Sequence, residues 1–334
     1  MSRTVDIAVI GATGSVGETL VQILEERDLA VGTLHLLASG ESAGQSLSFH
    51  GKTVRVRDLE GFDFGQVQLA FFAAGRKVSG KYVPIAAAKG CAVIDLASGL
   101  TSAQAPRVVA EVNPQALASL SKPYVLSSPS APAVALACVL AALPLELRRI
   151  TLTACLSVSS RGREAVKELA RQTAQLLNAK PLEPQVFDRQ IAFNLLAQVE
   201  ASDEEGHGAL ERQIAAELQE LLAQPELPVA VTCIQAPVFF GDSLSVSLQS
   251  AAAVPLNTLR AALDAAPGVE LVDADDYPTA VGDAVGQDVV YVGRVRAGLN
   301  DPAELNLWIA SDNVRKGAAL NAVQLAELLI KHYL

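Results

Sequence analysis

The chain predicts an α/β protein: a doubly wound parallel sheet at the N-terminus, then an α+β domain with a mixed or antiparallel sheet. Short apolar strands alternate with helical segments over the first ~130 residues, as parallel sheets require. From Arg149 the strands lengthen and that alternation stops. The 334 residues, 50% of them apolar, suffice for two cores at about 150 residues per domain.

Taken in order, the apolar run from Ile7 to Ile10 reads as a buried parallel strand. It breaks at Gly11, turns through Gly14 and Gly17, and opens a helix in which Val16, Leu20, Ile23 and Leu24 recur at helical spacing. Further strands are expected at residues 33–38, 69–73, 92–95 and 124–126, with a helix at 83–89. The second half offers strands at 150–158, 229–234, 243–250, 289–296 and 305–309. Helices are expected at 163–177 and 318–330, with a polar stretch around 202–208.

The glycine turn carries the clearest chemistry. A strand, a tight glycine turn and a helix N-terminus let a pyrophosphate approach free N–H groups and the positive end of the helix dipole. Gly11, Thr13, Gly14, Ser15, Val16 and Gly17 are therefore candidate dinucleotide ligands, and the domain is of the Rossmann type.

Composition excludes other classes. No apolar stretch reaches the ~18 residues of a membrane span, and the first residues lead straight into a strand, so no signal peptide is expected. Net charge is −10 without a Lys/Arg cluster, which makes nucleic acid and anionic membranes poor partners. Cys91, Cys138, Cys155 and Cys233 lie scattered in apolar runs, as reduced core residues of a cytoplasmic protein do, and no metal site is expected.

Several motifs together resemble the aspartate-semialdehyde dehydrogenase family. They are Gly11–Gly17, Leu36-Leu37-Ala38-Ser39 with Ser42-Ala43-Gly44, Lys81-Tyr82, Glu111-Val112-Asn113 and Ile191-Ala192-Phe193-Asn194. The C-terminal run is the most specific: Val289 to Arg294, Leu305 to Trp308, and Ser311 to Ala322. The resemblance implies a dinucleotide-binding domain over residues 1–131, with a last helix at 314–334 packing back on it. It implies a catalytic and dimerisation domain over 132–313, a homodimer, and Asn313 in a segment near the nicotinamide.

The family reduces aspartyl phosphate with a nicotinamide cofactor, using a cysteine nucleophile, a histidine base and arginine clamps for anions. Position by position, this chain departs from that pattern. The nucleophile position falls at Ala131, in Ser128-Pro129-Ser130-Ala131, and the glutamine position at Leu156. The histidine falls at Asp242, one arginine at or beside Gln235, and the phosphate-binding arginine at Thr101. In this the chain is most like the usg-type paralogues, which keep the fold without the catalytic cysteine. Cys138 reads as core, and Ser128 and Ser130 as helix-capping hydroxyls. Arg161 and Arg163 add two cations at a helix start; they read as solvated charges, with a new anion site as the alternative.

The loop after the second strand, Ser39-Gly40-Glu41-Ser42-Ala43-Gly44, places Glu41 where NADP-using members carry an arginine. A carboxylate there accepts hydrogen bonds from a free ribose 2′-hydroxyl and repels a 2′-phosphate, so NAD is expected in preference to NADP, with Ser39 and Ser42 beside it. The expected function is a dinucleotide-binding dimer unable to run the phosphorylating dehydrogenase reaction. The alternative is an active NAD-dependent oxidoreductase on another substrate. An unidentified protein or small-molecule partner stays open.

Overall fold

A computed structural model describes residues 4–334, so the expectation about a leader sequence rests partly on residues outside those described. The chain forms two compact units. One comprises residues 1–130 with 318–334, the other 131–317.

The first unit begins with β1 (Val5–Ile10), α1 (Ser15–Glu26), β2 (Val31–Ala38), β3 (Ser46–Phe49) and β4 (Lys52–Asp58). It continues with β5 (Leu69–Phe72), α2 (Arg76–Ala88), β6 (Ala92–Asp95) and β7 (Val125–Ser127). The strands form one seven-stranded sheet in the order β3-β4-β2-β1-β5-β6-β7, parallel except for the β3–β4 hairpin. That hairpin was not expected, and β4 lies directly beside β2. Strands β1, β2, β5, β6 and β7 feed both faces. From β1, Ile7 and Val9 enter a core with α1, while Ala8 and Ile10 enter a second core with Val83 and Ala86 of α2. Burial on both sides explains the unbroken apolar run.

The second unit comprises α3 (Ala131–Ala142), β8 (Leu147–Leu156), α4 (Arg163–Leu177), α5 (Ala209–Leu221), β9 (Val229–Gln235) and β10 (Asp242–Ser250). After these come α6 (Leu256–Asp264), β11 (Val269–Leu271), β12 (Val290–Ala297) and β13 (Glu304–Ser311). Its six strands are ordered β11-β12-β13-β10-β8-β9, with β8–β9 and β11–β12 parallel and the rest antiparallel. Alternation is clean: Leu244, Val246 and Leu248 of β10 are buried, with Leu305, Leu307 and Ile309 of β13 beside them. The same alternation corrects one expectation. Cys155, between inward Ala154 and Leu156, turns to the other face and is only half-buried, whereas Cys91, Cys138 and Cys233 are buried.

The last helix, α7 (Asn321–His332), belongs to the first unit. Ala322, Leu325, Ala326 and Leu329 enter the α1 core. Buried Asn321 accepts from the Ala110 N–H at 3.0 Å and donates to the Val108 carbonyl at 3.0 Å and Ser128 Oγ at 2.8 Å. The Ser128 hydroxyl thus receives a hydrogen bond from α7. Arg27 at the end of α1 makes a bidentate pair with Glu327 at 2.6 and 2.8 Å.

Among the described residues no helix is long and apolar enough to cross a membrane.

Candidate functional site

In the first unit, the C-terminal ends of β1, β2 and β5 surround a cleft of about 600 Å³. It lies where the strand order reverses, the usual ligand crevice of such sheets. Close approach makes its glycines necessary. A Cβ at Gly17 would lie 2.2 Å from the Gly11 carbonyl oxygen, and one at Gly11 would lie 2.5 Å from the Ala73 carbonyl oxygen. Gly11 also has φ +83°. Gly14, which has no side chain to cap with, then occupies the N-cap of α1.

Gly11, Thr13, Ser39 and Glu41 line this cleft together. Glu41 is exposed, and the turn holding it is closed by the Ser42 N–H donating to the Ser39 carbonyl at 2.9 Å. Ser15 and Val16 form the first turn of α1, with Val16 packed on the core. Sequence reasoning missed Asp58 and Glu60, which share the rim, and Val78 and Tyr82, which line it from α2. Asp58 ends the unexpected strand β4. Its signal was present: Val54 and Val56 alternate with Thr53, Arg55 and Arg57.

In the second unit, one end of the mixed sheet carries three of the degenerate positions in a row. Leu156 pairs with Gln235 across β8–β9. Asp242 follows on β10, one rung beyond the Ser243–Cys155 pair, and itself pairs with Ser311 on β13. All four side chains face the buried side, none more than 4% exposed. Asp242 Oδ1 accepts from the Ser157 N–H at 2.9 Å and lies 3.0 Å from Ser157 Oγ. Asn313 joins the cluster: its Oδ1 accepts from the Gly241 N–H at 3.0 Å, and its Nδ2 donates to Ser159 Oγ at 3.0 Å. Burial pushes the Asp242 carboxyl up to about 7. The Asp312 carboxylate adds to the rise, and the two Ser157 contacts oppose it.

Ala131 opens α3 in the same unit. Its methyl group meets the chain at Gly317, where a Cβ would lie only 2.5 Å from it. Thr101, in the first unit, is exposed, and its hydroxyl and N–H both bond to Gln104 Oε1, at 2.9 and 3.0 Å. Arg161 is not simply a solvated charge. It donates to the Val199 carbonyl at 2.9 Å, and its guanidinium lies 5.2 Å from the Phe187 ring centroid. A main-chain acceptor and an aromatic face hold it in place. Burial also pushes the Cys91 and Cys233 thiols up to about 12, far from thiolate chemistry. Among the described residues no group of three His, Cys, Asp or Glu gathers as metal ligands would.

Two family models account for nearly the whole chain. The semialdehyde dehydrogenase NAD-binding domain matches residues 6–120, and the semialdehyde dehydrogenase dimerisation domain matches residues 136–316. The chain belongs to the aspartate-semialdehyde dehydrogenase family. The USG-1 protein homolog of Pseudomonas aeruginosa is 62% identical over 336 residues, covering all of both chains. Aspartate-semialdehyde dehydrogenase 2 of Vibrio cholerae is 41% identical over 336 residues, again covering all of both. A solved structure described as a probable aspartate-semialdehyde dehydrogenase from Pseudomonas aeruginosa has 61% identity and a TM-score of 0.97, covering 99% of this chain and 100% of that one. As a member of the family the chain has an NAD(P)-binding domain in its first unit and a dimerisation domain in its second.

Proposed function

We propose that this protein is a homodimeric, dinucleotide-binding member of the family that does not run the phosphorylating semialdehyde dehydrogenase reaction. The observation that carries this reading is the pair Ala131 and Asp242. At the position that the resemblance assigns to the nucleophile stands a methyl group against Gly317. At the position of the base stands a buried carboxyl hydrogen-bonded to Ser157. Leu156, Gln235 and Thr101 replace the remaining polar and cationic groups with an apolar side chain, a neutral amide and a hydroxyl turned to Gln104. Charge-assisted clamps for carboxylate and phosphate go with them.

The first unit fits a dinucleotide. The turn from Gly11 to Gly17 would receive the pyrophosphate, because Cβ atoms at Gly11 and Gly17 would collide with backbone and a glycine stands at the N-cap of α1. A bound cofactor would supply hydride chemistry. Glu41 would accept from a ribose 2′-hydroxyl, with Asp58 adding negative charge to the same rim, so NAD is preferred over NADP. Ser39 and Ser42 shape that turn.

The test has three measurements. Calorimetry should give tighter binding of NADH than NADPH. Light scattering at micromolar concentration should give a dimer mass. Aspartate semialdehyde with phosphate and either cofactor should yield no turnover. Tighter NADPH binding, a monomer, or clear turnover would each overturn the corresponding element.

A second reading, an active oxidoreductase on another substrate, is favoured by one observation. The Asp242 carboxyl, pushed to about 7, titrates where general acid–base catalysis works best. Cofactor consumption with a panel of aldehydes lacking a carboxylate separates the two readings.

A further inference from the structure

A cavity of about 800 Å³ opens in the second unit, within the size range of small-molecule sites. Arg161, Asp188, Arg189 and Glu200 supply its charged groups. The loop that carries Asp188 and Arg189 is tied down by two buried side chains of α4. Glu168, 2% exposed, accepts from the N–H groups of Gln185 and Val186. Gln172, 0% exposed, donates to Glu168 Oε1 at 2.7 Å and accepts from the N–H groups of Ile191 and Ala192 at 2.9 and 3.2 Å. Both ends of the loop are thus fixed. Phe187 lies between the two ties, buried, and its ring is the platform 5.2 Å from the Arg161 guanidinium. The cost of ordering these groups is met in folding, so a ligand would not bear it.

The four charges divide into a closed pair and an open one. Arg189 donates to Asp188 Oδ2 through Nε at 3.0 Å and Nη2 at 2.8 Å, so these two answer each other. Those bonds hold the Asp188 carboxyl below its usual range, and the charge of Arg161 adds to this. Arg161 and Glu200 meet only neutral groups. Arg161 gives one N–H to the Val199 carbonyl at 2.9 Å and keeps its other donors open. Glu200 accepts from the Leu210 N–H at 3.0 Å through Oε2, which leaves Oε1 open. Among the described residues neither enters an ion pair. Val199 and Glu200 are consecutive, so the guanidinium rests on the peptide group that leads into the opposite charge.

A lone oxyanion here would meet an open carboxylate as well as an open guanidinium, and a lone ammonium would meet the same conflict. A molecule with both signs satisfies both. We propose that this cavity binds a small zwitterion, with Arg161 taking its carboxylate and Glu200 its ammonium. Adjacent guanidinium N–H groups match the fork of a carboxylate, and an ammonium brings donors to a carboxylate that lacks a cation. Val186 and Leu195 give apolar lining for the chain that joins the two charges. The site lies wholly in the second unit and asks nothing of the Gly11–Gly17 turn, Ala131 or Asp242.

The probes are glycine, β-alanine and 4-aminobutyrate, which differ in the separation of their charges, titrated into the full-length protein and followed by saturation-transfer NMR. Sodium acetate and methylammonium chloride, at equal ionic strength, carry one charge each. At least one zwitterion should bind saturably, and at least about tenfold more tightly than either single ion. Arg161→Gln and Glu200→Gln should each weaken that binding by about tenfold or more, and Arg163→Gln, outside the cavity lining, should leave it unchanged. Each variant should also gain the single ion it had repelled: Glu200→Gln should bind acetate more tightly than wild type does, and Arg161→Gln methylammonium. A loop that had merely lost its structure would gain neither. No saturable zwitterion signal, a single ion binding as tightly, wild-type zwitterion binding in either variant, or absence of the reciprocal gains would overturn the assignment.

Discussion

The two sheet ends are built from different materials. The cleft of the first unit is made largely of backbone: glycines pressed against carbonyls, a helix N-terminus, and a turn closed by its own N–H groups. The row in the second unit is made of side chains, namely Leu156, Gln235, Asp242 and Ser311 on four adjacent strands. A site built from backbone survives most substitutions, because main-chain groups do not mutate. A site built from side chains changes its chemistry one codon at a time while the strands beneath keep their register.

The sharpest way to break that contrast is to look for the family reaction in the second unit. Wild-type turnover of aspartate semialdehyde should stay below ~0.1 s⁻¹, two decades under a typical enzyme. Ala131→Cys alone should not rescue it, because position 242 carries a buried carboxyl held by Ser157 in place of the histidine that the family reaction uses. Ala131→Cys with Asp242→His, Leu156→Gln and Thr101→Arg is the smallest set expected to give measurable rates. Activity from the single cysteine variant would show that the side-chain site is better preserved than its composition implies.

The backbone site is tested by Gly17→Ala. The added methyl group would sit 2.2 Å from the Gly11 oxygen, so the turn must open. Loss of about 1–3 kcal/mol of stability and at least tenfold in NADH affinity is expected. Unchanged calorimetry would mean that the turn is not the anion cradle.

Asp242 gives the side-chain site a pH dependence. The native carboxyl, raised to about 7, holds its proton more tightly than the unfolded chain does at about 4. The stability this lends is complete below about pH 4 and is lost as pH rises to about 7, with a limiting slope near 1.4 kcal/mol per unit. Urea unfolding of wild type and Asp242→Asn over this range should show the slope only in the wild type. Parallel curves would remove Asp242 as its source.

The smallest effect concerns the rim of the cleft. Glu41→Arg should shift the NADH-to-NADPH preference by about tenfold towards NADPH, and the measurement is a pair of binding isotherms. No change would leave Glu41 an exposed loop residue without a ligand.

How far these features were legible follows from their range. The β1–α1 turn is local, so glycine spacing and helical periodicity reveal it. Family membership was legible for a related reason: motifs such as Ser311 to Ala322 are contiguous runs. The β3–β4 hairpin was hidden because four of the seven residues of Lys52–Asp58 are charged and mimic a loop, and Asp58 was missed with it. Helix α5 followed a polar stretch and is itself rich in Glu and Gln, which masked its apolar face of Ile214, Leu218 and Leu221. The cluster of Ser157, Asp242 and Asn313 depends on the register of separate strands, which no local pattern states. Arg161 read as a surface cation because its partners, Phe187 and Val199, lie far along the chain.

The position of α7 sets an order on how the protein is made. A ribosome delivers residues 5–127, with every strand of the first sheet, before it delivers residues 321–332. Until then Val108 and Ala110 lack the amide of Asn321, and the outer side of the α1 core lacks Leu325 and Leu329. The second unit, residues 131–317, is continuous and complete earlier. The nascent nucleotide-binding unit therefore waits through most of translation with an apolar flank open. It is the first part synthesised and the last to close, and a premature stop near residue 317 would leave it unfinished while the unit behind it is whole.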